Sequence, residues 1–370
     1  MNRNLTRTLK FIALVIPLLF IFVFAQECVF ENRNYDTVRI ERFYDQEENS
    51  LDVVFIGASE VSNDFIPGYA FEKYGFTSYM YAMDSNQGSL YLSQLKEIQK
   101  HQNPGIIFVD LYGFLRADDS PLFDETRLRL YTASIPFSTN KFQTIMEFPC
   151  ENKLSYFFPL IMYHGDSSIG YAWLIDTYDQ LTKQEKPSSL KGAQTRTTVY
   201  TGTGDPGEAF DPATYVLTDH SKAYLVEFLN YCKDNELNNI VFTNFPRYLE
   251  NEDNHSLLHL VDQTKAIVKQ YGYPVWDLQE EIDTIGIVRN QDFYNEHHLN
   301  IYGQLKLTDY LGVRITGEHG LIPRVQSERS KLEWEECAFN SQEFIEIAKE
   351  SILSGEDKVY CETISYWLYR

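Results

Sequence analysis

Short runs of apolar residues recur along the chain, and each ends at a turn: DVVFIG (52–57), TSYMYA (77–82), GIIFVDLY (105–112), NIVFTNFP (239–246) and PVWDL (274–278). A strand with one face in water alternates polar with apolar residues. Runs that stay apolar at successive positions suit strands covered on both faces, as in a parallel sheet. Between them the spacing changes to that of helices over Phe65 to Tyr74, Leu90 to Lys100, Ser221 to Asn235, a stretch ending at Tyr271, and Ile301 to Val313. Parallel neighbours need crossovers, which these helices supply. The pattern predicts an α/β fold with a doubly wound, mostly parallel sheet, helices on both faces, and ligands received at the C-terminal ends of the strands.

The alternation fades after Arg116 and resumes near Thr214. Residues 117–214 are predicted to form an insertion or cap on a core domain spanning 31–319, with 320–370 as an acidic C-terminal extension. Within the insertion, TGTGDPG (201–207) lacks the Lys-Ser/Thr ending of a phosphate loop and does not join a core strand to a helix, so it reads as a cap loop. Tyr and Phe are abundant, at 26 and 25 residues, and serve as core with some share available for stacking on sugars.

Residues 1–30 are of another kind. FIALVIPLLFIFVFA (11–25) carries no charge and follows Arg3, Arg7 and Lys10. Such a segment is an export signal or a membrane anchor, with its basic flank on the cytoplasmic side and the bulk of the chain extracytoplasmic. The absence of a small-x-small triplet before Gln26 or Glu27 favours an uncleaved, single-pass anchor. Those same two residues argue against Cys28 as a lipidated cysteine.

Lys and Arg number 32 against 53 Asp and Glu, giving a formal charge of −21. Nucleic acid is excluded as a partner, since such binding needs a basic surface that releases counterions. The five cysteines form no CxxC pair, so zinc ribbons and dithiol redox sites are not supported; Cys337 with Cys361 is a candidate extracellular disulfide. His255 and His259 have the spacing of helical zinc ligands, but Ser256 stands where a zincin has its general-base Glu, and no metal or cofactor is expected.

Two segments join reactive side chains to the ends of core elements: FIGASEVSNDF (55–65) and DFYNEHHLNIYG (292–303). In a doubly wound sheet the turn after the first strand and the loop before the last helix can meet, bringing Ser59 beside His298. A serine hydroxyl becomes a nucleophile when histidine removes its proton, and the resulting imidazolium needs an orienting group. Asp292 or Asn295 is the candidate for that role. The oxyanion formed on attack needs donors, for which Ser85, Asn86 and Gln87 on the loop after the second strand are candidates. His164 is a candidate for the substrate side of the cap.

The two segments together resemble the SGNH (GDSL-like) hydrolases, in particular the membrane-anchored branch associated with D-alanine transfer and alginate O-acetylation. FIGASE looks like that family's nucleophile block, which gives Ser59 the nucleophile role. DFYNEHHLNIYGQLKLTDYL resembles its final block, which gives His298 the role of base; Asn295 stands three residues before it where the family usually has Asp. The resemblance covers about residues 51 to 313 without the insertion. It implies a flavodoxin-like three-layer sandwich, no cofactor, a cell-surface glycan as substrate, and a membrane-bound O-acyltransferase as partner. The expected function is an acyl-esterase or O-acyltransferase. The alternative is a non-catalytic glycan-binding or assembly subunit of such a system, suggested by Asn295 and by the lack of a clear match to the family's oxyanion Asn.

Overall fold

Five parallel strands form one sheet in the order β2-β1-β3-β4-β5: β1 (Val53–Gly57), β2 (Ser78–Ala82), β3 (Ile106–Asp110), β4 (Ile240–Asn244) and β5 (Val275–Asp277). The computed structural model describes residues 3–29, 35–158, 161–162, 190–202, 211–249 and 256–355. The chain leaves β1 for β2 on one side and then crosses back to β3 on the other, so the fold is a doubly wound α/β fold with its switch point between β1 and β3.

The apolar runs fill both faces. Val54, Ile56, Ile107, Val109, Ile240 and Phe242 pack towards helices α5 (Gly88–His101), α8 (Asp219–Asp234) and α9 (Ser256–Gln270). On the opposite face, Val53, Phe55, Phe108 and Val241 meet α4 (Pro67–Tyr74) and α10 (Ile301–Val313), with the Phe55 and Phe108 rings stacked at 4.8 Å. Local chemistry sets where these helices start. Thr218 accepts a hydrogen bond from Ser221 N and Asn300 from Tyr302 N, satisfying backbone donors that the first helical turn leaves open.

Three parts lie outside the predicted alternation. Helix α2 (Tyr35–Phe43) covers the β2 edge and buries Arg39, which reaches Asp36 at 3.0 Å and the Gly192 carbonyl at 2.8 Å. Within the insertion, α6 (Glu125–Ser134) packs on α2 and α7 (Thr139–Glu147) on α5, so these helices widen one flank of the sandwich. The C-terminal extension carries α11 (Glu328–Ser354), whose Trp334, Phe344, Ile345 and Ala348 are buried and which packs on α4 as part of the main body. Lys191 lies beneath it, with Nζ 4.8 Å from the Trp334 ring centre and 2.8 Å from Gln46 Oε1. Cys337 is buried on α11, and its expected partner Cys361 falls outside the described residues.

Helix α1 (Arg3–Val29) contains the uncharged N-terminal run, with Pro17 inside it. Its side chains are described from 7 to 22, and among the described residues no helix is long and apolar enough to cross a membrane. Within that stretch Phe11, Leu14 and Phe20 are exposed.

Candidate active site

β1 ends at Gly57 and the chain turns at once into α3 (Ser59–Asn63), placing Ser59 at the first position of this short helix. A Cβ at Gly57 would lie 2.3 Å from Val61 Cγ2 and 2.7 Å from Asp110 Cβ, so glycine alone lets β1, α3 and the end of β3 approach this closely. Asn86 clasps the same turn, its Nδ2 donating to the Gly57 carbonyl at 2.9 Å.

His298 arrives on a hairpin closed by an antiparallel bridge between Phe293 and Leu299. Tyr294 N donates to His298 O at 2.8 Å, and Asn295 Oδ1 accepts from the backbone N–H groups of His297 and His298 at 2.8 and 2.9 Å. Leu299 N donates to Asp64 Oδ1 at 2.9 Å, which fastens the hairpin to the residue following α3. The result is a distance of 2.8 Å between Ser59 Oγ and His298 Nε2, right for a hydroxyl donating to a bare imidazole nitrogen.

A strap of chain, 190–202, crosses beside the pair. Gln194 N donates to Ser62 O at 2.7 Å, and Ile301 N donates to Arg196 O at 3.1 Å. The strap carries Arg196, whose Nε donates to Asn63 Oδ1 at 2.9 Å while its guanidinium lies 5.1 Å from the Tyr294 ring centre.

Beneath the pair lies a buried charge cluster. Arg247, following β4, makes an ion pair with Glu60, lies 4.5 Å from the Tyr112 ring centre, and has Nη1 3.0 Å from His297 Nδ1. Burial drives the His298 pKa down to about 4; the Glu60 charge opposes this, and the charges of Arg196, His297 and Arg247 add to it. His298 is therefore neutral at pH 7, the form that accepts a proton. Burial works to raise Glu60, but Arg247 and His298 outweigh it and hold the carboxyl below its usual range. Asp110 is raised to about 7 by burial and then by Glu60, against Arg247. Asp64 is raised chiefly by burial.

The structure thus brings together Ser59 and His298 but gives Asp292, Asn295, Asn86 and Gln87 different work. Asp292 does not orient the imidazole: its Oδ2 accepts from Lys306 Nζ at 2.6 Å and from Val288 N at 2.6 Å, so the carboxylate is drawn towards α10. Asn295 does not orient it either, because its carbonyl oxygen caps the backbone of the hairpin. Among the described residues His298 Nδ1 has no hydrogen-bond partner. Of the expected oxyanion donors, two have side chains engaged elsewhere. Asn86 Nδ2 is shared between Gly57 O and Gln94 Oε1, Gln87 is bonded to the backbone of Asp124, and Ser85 is an exposed turn residue with φ of 53°. His164 lies outside the described residues. Sequence reasoning passed over Glu60, Arg247 and Arg196. Glu60 and Arg247 were marked only by position, next to Ser59 and just past the end of a strand.

Among the described residues no group of three or more His, Cys, Asp or Glu is placed to hold a metal ion. Compared with known proteins, the chain matches no family model and no curated protein. The likeness to SGNH hydrolases accordingly rests on the two sequence blocks.

Proposed function

We propose that this chain is a membrane-anchored, extracytoplasmic SGNH-type serine esterase or O-acyltransferase acting on a cell-surface glycan. The observation that carries the reading is the 2.8 Å contact between Ser59 Oγ and His298 Nε2 at the C-terminal end of a central parallel strand. In this mechanism His298 Nε2 takes the Ser59 proton as Oγ attacks an acyl carbonyl. The C–O bond to the leaving group then breaks as Nε2 returns the proton to it, leaving the acyl group on Ser59. Water or a sugar hydroxyl, deprotonated by the same nitrogen, then bonds to the acyl carbon, and the C–Oγ bond breaks as Nε2 returns the proton to Ser59. The uncharged run in α1, preceded by three basic residues, supports the anchor and its orientation. A membrane-bound O-acyltransferase as donor-side partner follows from the sequence resemblance.

A second reading, a glycan-binding or assembly subunit without catalysis, draws on the unpartnered His298 Nδ1 and on the engaged amide of Asn86. The test is covalent labelling of the full chain in detergent micelles by a fluorophosphonate, in which Oγ forms a bond to phosphorus and fluoride leaves. Labelling of the wild type that vanishes in Ser59→Ala supports the enzyme. An unlabelled wild type, or label that persists in Ser59→Ala, rejects it.

A further inference from the structure

We infer that Glu60 is the positioning residue for His298: its carboxylate oxygen Oε2 becomes the acceptor for the His298 Nδ1–H when substrate binds. The inference rests on the Ser59–His298 reading and supplies the acid that reading lacks.

The first support is a closed circuit of contacts. Ser59 Oγ meets His298 Nε2; His297, next in chain, meets Arg247; Arg247 is paired with Glu60; and Glu60 adjoins Ser59. Two pairs of consecutive residues and three side-chain contacts close this ring, which places the Glu60 carboxylate among the groups whose charge acts on the His298 imidazole.

The second support is that three atoms inside this ring have no partner among the described residues: the donors His298 Nδ1 and Arg247 Nε and the acceptor Glu60 Oε2; Arg247 already holds Glu60 through its Nη2. An imidazole that accepts at Nε2 from Ser59 carries its own proton on Nδ1, which is then a donor. Among the described residues, His298 Nδ1 and Glu60 Oε2 are both buried and make no hydrogen bond. Each alone is costly, and each supplies what the other needs. In ligand-free sites such contacts are long and tighten when substrate binds.

The third support is elimination among the neighbouring acids. Asp292 is taken by Lys306 and Val288 N, and Asn295 by backbone N–H groups. Asp64 and Asp110 each leave one oxygen without a partner, but burial favours their protonated forms. Glu60 is held ionised by Arg247, and of the charges acting on His298, namely Glu60, Arg196, His297 and Arg247, it alone favours the imidazolium.

Glu60→Gln tests this directly. Arg247 requires an acceptor, so the Gln carbonyl oxygen turns to it and the amide N–H₂ replaces Oε2, a donor that forces the proton from Nδ1 to Nε2. In the full chain with ¹⁵N-labelled histidine, His298 assigned through His298→Gln, the wild type should show the Nδ1–H tautomer at neutral pH. Glu60→Gln should show the Nε2–H tautomer, with fluorophosphonate labelling slowed at least about 100-fold. The double variant Glu60→Gln with Arg247→Gln removes both buried charges and guards against a folding defect; it should lose labelling to a similar degree. An unchanged tautomer in Glu60→Gln, or labelling within about 3-fold of wild type in either variant, overturns the inference. An unlabelled wild type would instead reject the esterase reading, while the tautomer measurement still decides the role of Glu60.

Discussion

Asp292 Oδ2 stands 2.6 Å from Lys306 Nζ, and that contact separates holding the hairpin from assisting the imidazole. The carboxylate also accepts from Val288 N and is itself buried, so it joins the approach to the hairpin with helix α10. Its work is structural, although its place in the sequence suggests chemistry.

Asp292→Asn should therefore lower stability by about 1–3 kcal/mol, the range for weakening a buried, charge-assisted hydrogen bond. Fluorophosphonate labelling well below the melting temperature should stay within about 5-fold of wild type, because no contact to the ring is lost. Thermal melts and labelling rates on the same samples separate the two effects. A 1,000-fold loss of labelling without loss of stability would return Asp292 to the catalytic set.

Burial sets the pH dependence. With the His298 pKa pushed down to about 4, the imidazole is the neutral base across the range where an exposed histidine would already be titrating. The labelling rate should be flat from about pH 8 down to about pH 5.5 and fall only below that as Nε2 takes a proton. A half-maximal rate near pH 6.5 would contradict the burial of the ring.

Asp110 makes the opposite kind of prediction, about stability. Its folded pKa is raised from 3.8 to about 7, so the folded state binds the proton more tightly than the unfolded state. That contribution is complete below pH 3.8 and is lost as pH rises through about 7. Asp110→Asn, which stays neutral, should gain stability relative to wild type as pH rises, by about 2–3 kcal/mol between pH 5 and pH 8. Denaturant unfolding at the two pH values measures the difference.

Gly57→Ala tests the tightness of the nucleophile turn. The new methyl group would press on Val61 and Asp110, an overpacking cost of about 1–3 kcal/mol. Relief requires the turn to shift, carrying Ser59 away from His298, so labelling should fall more than about 10-fold. Wild-type labelling in this variant would show that the turn has slack.

The five strands were legible because a parallel strand buried on both faces writes its burial into consecutive residues, as VVFIG and IIFVD do. Ser59 and His298 were legible because each stands where such an element meets a turn. The α11 helix was readable in principle: Trp334, Cys337, Ser341, Phe344 and Ala348 recur at helical intervals within a strongly acidic stretch. What could not be read is how polar side chains divide among partners. Glu60 and Arg247 lie 187 residues apart, and nothing local in either segment announces a buried ion pair. Asn86 sits on the loop expected for oxyanion donors, but placement on a loop does not say that its amide serves the Gly57 carbonyl.

The hairpin that bears His298 is secured by Asp64 upstream and by α10 downstream, so the base holds its station only where the helix after the last strand is in place. Ser59, by contrast, belongs to the first strand–helix junction of the main body. A ribosome-bound or prematurely terminated product would display the hydroxyl with nothing to deprotonate it. The Ser59–His298 pair is thereby withheld from any chain that stops short of α10.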